Sequence, residues 1–328
     1  MITRRKLVLA LGAGTLTAPL ASFAQQQPTK VPRIGYLSVR SGGESRDEAF
    51  RQGLRELGYV EGKSIVVEYR YTHDKPDRLP ELAAELVRLK VDVIVSAGPL
   101  VTRVIKAATA TTPIVMGFDI DPVGSGFAAS LARPGGNITG LSNLAPEIIG
   151  KQLGLLKEIV PKLSRVAVLG NSALPGNAQS LKAVELAAGT FGVKVQYLDV
   201  LLPKDIETAF RAADKGRADA VLIAVSGTVF LSHRTQILEL AAKSRLPVMY
   251  SGREFVEDGG LMGYGVSYDD LFRRAATYVD KILKGAKPGD LPIEQPTVFD
   301  LAINMKTAKA LGIKFPNSIL VQATKVIE

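Results

Sequence analysis

Eight residues, Val31-Pro-Arg-Ile-Gly-Tyr-Leu-Ser38, decide the fold class of this chain. They form a short and nearly continuous apolar run, which is typical of a strand that a parallel sheet buries on both faces. A helical pattern follows, with Phe50, Leu54 and Leu57 on one face and Gly58 as its stop. Strand and helix patterns go on alternating through the first half of the chain, which predicts βαβ units and a parallel sheet covered by helices.

The second half of the chain repeats this order. Arg165-Val-Ala-Val-Leu-Gly170 has the character of Arg33-Ile-Gly-Tyr-Leu-Ser38 and begins 132 residues later. Other similar segments are separated by 124 to 134 residues, among them Gly135-Gly136 and Gly259-Gly260. Such offsets favour two similar lobes in tandem, and chance likeness between α/β segments is the alternative. The predicted fold class is α/β, with two similar doubly wound parallel-sheet lobes.

Two irregular segments are predicted to connect these lobes. Thr139–Pro146 lacks helical periodicity, and Lys287–Pro296 precedes the strand-like run Val298–Ile303. Between them, Ser267 and Asp270 have the spacing of a capping box at the start of a late helix. The expected division of the chain is a leader in residues 1–24, a first lobe of residues 25–143 plus roughly 267–290, and a second lobe of residues 144–266 plus roughly 296–328.

The available residue types limit the chemistry. The chain has 328 residues, which favours two domains or lobes, and its 46% hydrophobic and 22% charged residues are typical of a globular protein. It contains no Cys and only two histidines, His73 and His233. Zinc fingers, iron–sulfur clusters, disulfides and Cys nucleophiles are therefore excluded. We expect both histidines to be surface residues.

The first 24 residues have the composition of an export signal. Arg4, Arg5 and Lys6 form a basic start, an apolar stretch runs from Leu7 to Leu20, and small residues precede Gln25. The stretch is short for a spanning helix, which needs about 20 apolar residues. The arginine pair also fits a twin-arginine signal, so the Sec and Tat routes both stay open. Removal of the leader takes away three basic residues and no acidic one, which lowers the net charge from +9 to +6.

Most signatures of catalysis are missing from the sequence. It has no phosphate-binding loop, no H-E-x-x-H zinc motif and no G-x-S-x-G nucleophile turn. Gly124 to Ala129 match the relaxed dinucleotide pattern G-x-G-x-x-A, but they follow the fourth strand and lack an acidic partner downstream, which favours a tight helix start. We therefore predict no cofactor and no metal. The scattered basic residues lack an aromatic platform for bases, so we also predict no nucleic-acid partner.

Asp119 and Asp121 form the most noticeable pair of acidic residues. Paired carboxylates can serve acid–base catalysis, hold a cation, cap a helix or receive a ligand ammonium group. Without further ligands the pair makes a weak metal site, whereas a turn role and ammonium recognition both stay open. An exported α/β enzyme that acts on a small molecule with these two aspartates is the alternative to a binding protein.

The main functional prediction comes from the carboxyl ends of the strands. Ligands of open parallel sheets bind beyond these ends, and two lobes that face each other form a cleft there. The side chains at these positions are small hydroxyls, amides, aromatic rings and a few charged groups, which suit a small polar ligand better than bond chemistry. The candidate ligand-binding residues are Ser38, Ser96, Gly98, Asp119, Asp121, Asn171, Ser226, Tyr250, Arg253 and Tyr264.

Several segments together carry a family resemblance that covers residues 31–328. They are Phe50–Gly62, Asp121–Gly126, Leu131–Asn137, Gly252–Phe255, Gly259–Met262, Ala275–Ala286 and Ile303–Gly312. With these segments the chain resembles the tryptophan/tyrosine-type ABC transporter substrate-binding family. The resemblance implies a type I periplasmic-binding fold with a hinge, a small-molecule ligand such as an amino acid or aromatic acid in the cleft, and delivery to a membrane permease driven by a separate ATPase.

The resemblance also implies a place of action. Some members of the family are lipoproteins, but this chain has no Cys to carry a lipid, so we expect a soluble periplasmic protein and a monomer. A cytoplasmic sugar-responsive regulator could share the two-lobe core, but it would carry a DNA-binding helix-turn-helix where this chain has its leader.

Position and chemistry suggest roles in ligand binding for some of the candidates. Asp119 would receive an ammonium group, and Arg253 would meet a carboxylate or a glutamate of the other lobe. Tyr264 would contact an apolar side chain, and Ser38 and Gly98 would supply hydroxyl and backbone contacts. Ligand closure would then join the two lobes by rotation about the connecting strands.

Overall fold

The computed structural model of the protein describes residues 31–328, except for residues 74, 144, 175–176 and 224–227 and the side chains of residues 145–147 and 228. The predicted leader in residues 1–24 lies outside the described residues. Residues Val31–Glu328 form one unit by their contacts.

A first parallel sheet lies in the N-terminal half of this unit. Its strands are β1 (Arg33–Ser38), β2 (Val66–Tyr71), β3 (Val93–Ser96), β4 (Ile114–Met116) and β5 (Ile138–Gly140). They pair in the order β2-β1-β3-β4-β5, and every pair is parallel. The connecting helices are α1 (Ser45–Glu56), α2 (Leu79–Arg88), which a 3-10 turn at Pro76–Arg78 precedes, and α3 (Pro99–Ala108).

A second sheet of seven strands lies in the C-terminal half. Its strands are β6 (Arg165–Gly170), β7 (Lys194–Asp199), β8 (Ala220–Ile223), β9 (Val248–Tyr250), β10 (Met262–Val266), β11 (Phe299–Asn304) and β12 (Lys325–Ile327). The parallel order β7-β6-β8-β9-β10 repeats the order of the first sheet. Strand β11 then pairs antiparallel with β10 and parallel with β12. The predicted α/β fold with two similar parallel-sheet lobes is confirmed.

The remaining helices cover the second sheet, with one exception. They are α4 (Ala145–Ile159), α5 (Asn177–Phe191), α6 (Pro203–Lys215), α7 (Thr228–Ser232), α8 (Arg234–Ser244), α9 (Arg253–Glu257), α10 (Tyr268–Leu283), α11 (Met305–Leu311) and α12 (Asn317–Gln322). The exception is α10, which packs on α1 and on strands β3, β4 and β5 of the first lobe. None of the described helices combines the length and the apolar character that crossing a membrane requires.

Strand β1 shows why the apolar runs are nearly continuous. Ile34 and Tyr36 pack into the cluster that contains Phe272 of α10, whereas Leu37 packs into the opposite cluster with Leu86 of α2. Because side chains alternate between the two faces of a strand, helices on both faces require apolar residues at every position. The pattern of the opening stretch therefore follows from its burial on both faces.

The chain crosses between the two lobes at three places. The first crossing follows β5, the second joins β10 to α10, and the third enters β11 after a 3-10 turn at Pro288–Asp290. The backbone N–H of Ser142 donates to the Glu294 carbonyl at 2.9 Å, and that of Ser267 donates to the Val298 carbonyl at 3.1 Å. These hydrogen bonds tie the crossings to one another, so they form a hinge rather than three independent linkers.

Two local predictions need correction at these crossings. The irregular segment Thr139–Pro146 is shorter than expected, because Thr139 and Gly140 end β5 and α4 begins at Ala145. The predicted capping box of Ser267 is wrong, since Ser267 is the N-cap residue of α10 but makes no side-chain capping bond. Its hydroxyl lies beside the Asp300 carboxylate of β11 instead.

Candidate functional site

The hydroxyl and glycine candidates of the first lobe shape the carboxyl end of its sheet. Ser38 ends β1, and its hydroxyl accepts the Arg40 backbone N–H at 3.2 Å. Ser96 ends β3 and is fully buried, where its hydroxyl bonds to that of Thr102 in the first turn of α3. Gly98 has a φ of +127°, and a Cβ there would lie 3.2 Å from the Phe118 ring. Gly98 thus lets the backbone approach the Phe118 ring, while the two serines bond within their own lobe edge.

Asp119 is the most unusual group at this edge. Its side chain is completely buried, and Oδ1 accepts the Asp121 backbone N–H at 2.9 Å. Oδ2 is buried and has no hydrogen-bond partner among the described residues. Burial raises the pKa of Asp119 to about 7. A buried acceptor without a donor is costly, so this oxygen is suited to receive a donor from a ligand.

The Asp121 carboxylate has contacts that differ from those of Asp119. Oδ1 accepts the Gly124 backbone N–H at 2.8 Å and so closes a turn. Oδ2 accepts the side-chain amide of Gln179 on α5 of the second lobe at 3.0 Å. Both oxygens of Asp121 thus have protein partners, which separates its role from that of Asp119.

Two polar residues at this edge were not among the candidates: Asn143, which contacts Asp119, and Arg40, which lies in the loop after β1. The Asn143 backbone N–H donates to the Asp119 carbonyl at 2.6 Å, and the Asn143 side chain bonds to Tyr268. The Arg40 side chain pairs with Glu44, and burial together with Arg46 lowers the pKa of Arg40. Asn143 Oδ1 and Arg40 Nη1 are both buried without a partner among the described residues. The edge thus offers acceptor oxygens without a donor, and one guanidinium nitrogen of Arg40 without an acceptor.

Aromatic rings form one wall of this region. The Phe118 ring meets the Tyr268 ring edge to face, with centroids 4.9 Å apart and planes at 69°. The Phe272 ring lies 6.4 Å from Phe118, and the Arg46 guanidinium lies 5.2 Å from the Tyr268 centroid. Arg46 Nε lies 3.3 Å from the Glu44 carboxylate, which also pairs with Arg40. Arg46 therefore links the aromatic wall to Arg40 through Glu44.

The second lobe contributes a charged helix to the same region. Glu254 of α9 lies 3.8 Å from Arg46 of α1, which joins the two lobes. Arg253 pairs with Asp269 at the start of α10, and its Nη1 lies 3.6 Å from the Asp300 carboxylate. Burial opposes the charge of Arg253, but these two carboxylates raise its pKa. Its guanidinium therefore already has protein carboxylates as partners.

The other candidates of the second lobe have mainly structural contacts. The Asn171 side chain accepts the Ala173 backbone N–H at 3.0 Å. The Tyr250 ring is buried and stacks on Phe255, 4.9 Å away, in the core of the lobe. The Tyr264 ring stacks on Phe299, and its carbonyl accepts the Gln152 side chain at 2.7 Å. Ser226 lies outside the described residues.

The structure thus brings only part of the predicted set together. Asp119 and Gly98 meet the aromatic wall, while Tyr250 lies in the core and Asn171 supports a turn. The signal for Arg40 was its place in the loop directly after β1, and the signal for Asn143 was its place in the first crossing. Within the described part of the chain, no group of three acidic or histidine side chains could hold a metal ion.

Comparison with known proteins identifies the family. The profile described as ABC transporter substrate binding protein matches residues 41–327. The chain belongs to this family. It is therefore the extracytoplasmic component of an ABC transporter that binds a small molecule, and not an enzyme, which confirms the family suggested by the sequence.

Individual relatives agree with this assignment. The chain is similar to a protein named "Tyrosine-binding protein" from Clostridioides difficile, at 25% identity over 267 residues, which are 81% of this chain and 76% of the relative. A crystal structure of an ABC domain from Streptococcus pneumoniae in complex with L-Trp has a TM-score of 0.82 and 26% identity, with 90% of this chain and 99% of that chain covered. A conserved domain protein from Vibrio cholerae reaches a TM-score of 0.83 at 29% identity, with 90% and 100% covered.

Proposed function

We propose that this substrate-binding protein holds an aromatic L-amino acid at the carboxyl edge of its first sheet, between the two lobes. The observation that carries the proposal is the buried and unpartnered Oδ2 of Asp119, with Arg40 and an aromatic wall nearby. An amino acid carries an ammonium group, a carboxylate and a side chain, and this edge offers a complement to each of them.

The three complements differ in chemistry. Asp119 Oδ2 and Asn143 Oδ1 are acceptors without partners, which suits the ammonium group of the ligand. Arg40 Nη1 is a cationic donor without a partner, which suits the carboxylate. The Phe118 and Tyr268 rings meet at 4.9 Å and offer an apolar surface for an aromatic side chain. A sugar could satisfy the polar atoms but carries no ammonium group to neutralise the buried Asp119 carboxylate.

The remaining candidates have supporting roles in this proposal. Ser38 and Gly98 would hold the backbone near the ligand, and Asp121 would contact the other lobe through Gln179. Ser96, Asn171, Tyr250, Arg253 and Tyr264 would maintain the shape of the two lobes around the cleft. Two relatives, one named a tyrosine-binding protein and one solved in complex with L-Trp, support the same class of ligand.

The test is isothermal titration with a matched set of ligands. We expect L-tryptophan or L-tyrosine to bind, whereas tryptamine, which lacks the carboxylate, and indole-3-propionate, which lacks the amine, bind at least about tenfold more weakly. Asp119→Asn should weaken the amino acid but leave the affinity for indole-3-propionate unchanged, because only the amine contacts Asp119. Equal binding of all four compounds, or an Asp119→Asn variant with unchanged affinity for the amino acid, would refute the proposed site.

We also propose how the protein is organised and where it acts. Residues 25–143 and roughly 267–290 would form one lobe, and residues 144–266 and roughly 296–328 the other; the packing of α10 on α1 supports this division. The leader in residues 1–24 would direct Sec or Tat export to the periplasm, where a soluble monomer without a lipid anchor delivers its ligand to the permease. Cell fractionation with mass measurement of the mature protein tests the leader, since an intact N-terminus on periplasmic protein would contradict it.

A further inference from the structure

A groove in the second lobe lies away from the candidate ligand site. It has a volume of about 370 Å³, and its walls include Leu238 of α8, Leu246 before β9 and Leu311 of α11. Small-molecule sites have volumes of about 300–1,000 Å³ and mostly apolar walls. The groove therefore has the size and the lining of a binding site for a small molecule.

The position of the groove separates it from the cleft. Tyr250 at the end of β9 lines the groove, and its ring lies beside Gly260. Several other lining residues lie just before β9 or β10, including Leu246 and Gly260, and Lys306 lies just after the antiparallel β11. These positions belong to the amino ends of the parallel strands, whereas Asp119 and Asn143 lie beyond the carboxyl ends of the first sheet. A ligand in the groove would therefore not touch the ligand proposed for the cleft.

The local sequence explains why the groove exists. The groove lies between α8, α11 and the turn that follows the five-residue helix α9. The turn after α9 lies close to the sheet at Gly260, where a Cβ would be 2.6 Å from the Tyr250 ring and 2.8 Å from the Phe255 carbonyl oxygen. A larger residue at position 260 would lift the turn, so this glycine keeps the floor of the groove low.

The charges of the groove have a single sign. Arg245 and Lys306 line it, and no acidic side chain does so among the described residues. Arg245 Nη2 donates to the Ala310 carbonyl at 3.1 Å, which holds the guanidinium between the end of α8 and α11. Neither cation has a carboxylate within salt-bridge distance in the described part of the chain. Two cations beside apolar walls favour an anion with an apolar body.

We propose that this groove is a second binding site, for a small amphiphilic monocarboxylate. The apolar part of the ligand would lie against Leu238, Leu246 and Leu311, and its carboxylate would pair with Arg245 and Lys306. This site is independent of the amino-acid site proposed for the cleft, because no residue that lines the groove is among those proposed to contact the amino acid.

Amide spectra of the full chain labelled with ¹⁵N test this proposal, with 4-phenylbutyrate as the probe and its neutral amide, 4-phenylbutyramide, as the chemical control. We expect millimolar 4-phenylbutyrate to shift the amide signals of Gly260 and Thr307 and to leave that of Asn143 in place. The neutral amide should bind at least about tenfold more weakly, because it cannot pair with the two cations. Shifts confined to Asn143, no shift at all, or equal binding of the amide would each overturn the proposal.

Neutral variants locate the carboxylate. Arg245→Gln and Lys306→Gln should each weaken the binding of 4-phenylbutyrate about fivefold or more, since each variant removes one of the two cations that pair with the carboxylate. Lys314→Gln is the matched control, because Lys314 is an exposed lysine after α11 that does not line the groove. An equal loss of affinity in all three variants would indicate a general effect of net charge and would overturn the site.

Discussion

At the scale of single residues, Asp119 makes a contribution to stability that depends on pH. Its carboxyl has an ordinary pKa of 3.8, and burial raises this value to about 7 in the folded chain. Between these two values the folded state binds the proton more tightly than the unfolded state does, so the contribution of Asp119 to stability decreases as the pH rises. Above a pH of about 7 the folded protein contains a buried carboxylate with one oxygen unpaired.

A ligand ammonium group favours the ionised form of Asp119, whereas burial favours the protonated form. The ammonium group binds the ionised carboxylate and so lowers the pKa of Asp119, which means that binding releases a proton between the lowered pKa and a pH of about 7. We expect the affinity for L-tryptophan or L-tyrosine to rise by up to about tenfold per pH unit on approach to pH 7, and to level off above it. Titration calorimetry in buffers with different ionisation enthalpies measures this proton release directly.

Asp119→Asn is the control for this prediction. The amide cannot ionise, so the affinity of the variant should be weak and nearly independent of pH between pH 5.5 and pH 8, and no proton should be released. If the native protein binds with the same affinity across this range, Asp119 does not receive the ammonium group. If the variant keeps the pH dependence, another group causes it.

The sequence could predict some of these residues and not others. Asp119 was found because strand ends can be located from apolar runs, and ligand sites lie beyond strand ends. Arg40 and Asn143 were missed because the absence of a partner for a given atom depends on contacts with distant residues such as Tyr268. For the same reason the sequence could not show that Arg253 would meet Asp269 and Asp300.

At the scale of elements, the contact between α1 and α10 fixes the aromatic wall. Gly53 of α1 faces α10 so closely that a Cβ would lie 2.8 Å from the Ala276 Cβ and against the Arg273 carbonyl oxygen. Helix α10 carries both Tyr268 and Phe272. The two helices can therefore bring these rings to Phe118 only while residue 53 lacks a side chain.

A pair of glycine substitutions tests this packing. Gly53→Ala should destabilise the protein by about 1–3 kcal/mol, because overpacking forces a shift of α10. Gly150→Ala on α4 has open space around the new methyl group. It should be neutral or stabilising by up to about 1 kcal/mol, because alanine favours a helix interior. Urea denaturation at constant m-value measures both changes, and equal stability of the two variants would contradict the close contact.

The order of elements was the most predictable level of this fold. Repeated apolar runs predicted two similar lobes, and the strand orders β2-β1-β3-β4-β5 and β7-β6-β8-β9-β10 confirm them. The antiparallel direction of β11 could not be read from Val298–Ile303, because an apolar run has the same composition in either direction. The capping box at Ser267 was wrong, because the Ser267 hydroxyl makes no bond to the start of α10 and lies beside the Asp300 carboxylate of another strand.

At the scale of the whole molecule, a few polar contacts join the lobes across the cleft. Arg46 of the first lobe meets Glu254 of the second at 3.8 Å, and Asp121 of the first accepts the Gln179 amide of the second at 3.0 Å. A rotation that separates the lobes about the hinge breaks these contacts, while the backbone hydrogen bonds of the crossings can persist. Each contact therefore favours the closed arrangement, and ligand affinity depends on how readily that arrangement forms.

Substitutions of two glutamates on α9 distinguish an effect on the closure of the lobes from an effect on the local ion pairs of the helix. Glu254→Gln removes the charge opposite Arg46 and should weaken the binding of L-tryptophan or L-tyrosine about two- to fivefold, in line with the modest strength of a partly exposed ion pair. Glu257 lies 3.9 Å from Arg253 within the same lobe, so Glu257→Gln should leave the affinity unchanged.

Small-angle scattering of the ligand-free proteins should show a larger radius of gyration for Glu254→Gln only, because its lobes spend more time apart. Equal scattering curves with a reduced affinity would mean that Glu254 contacts the ligand directly, and equal affinities for all three proteins would mean that the pair with Arg46 does not contribute to closure.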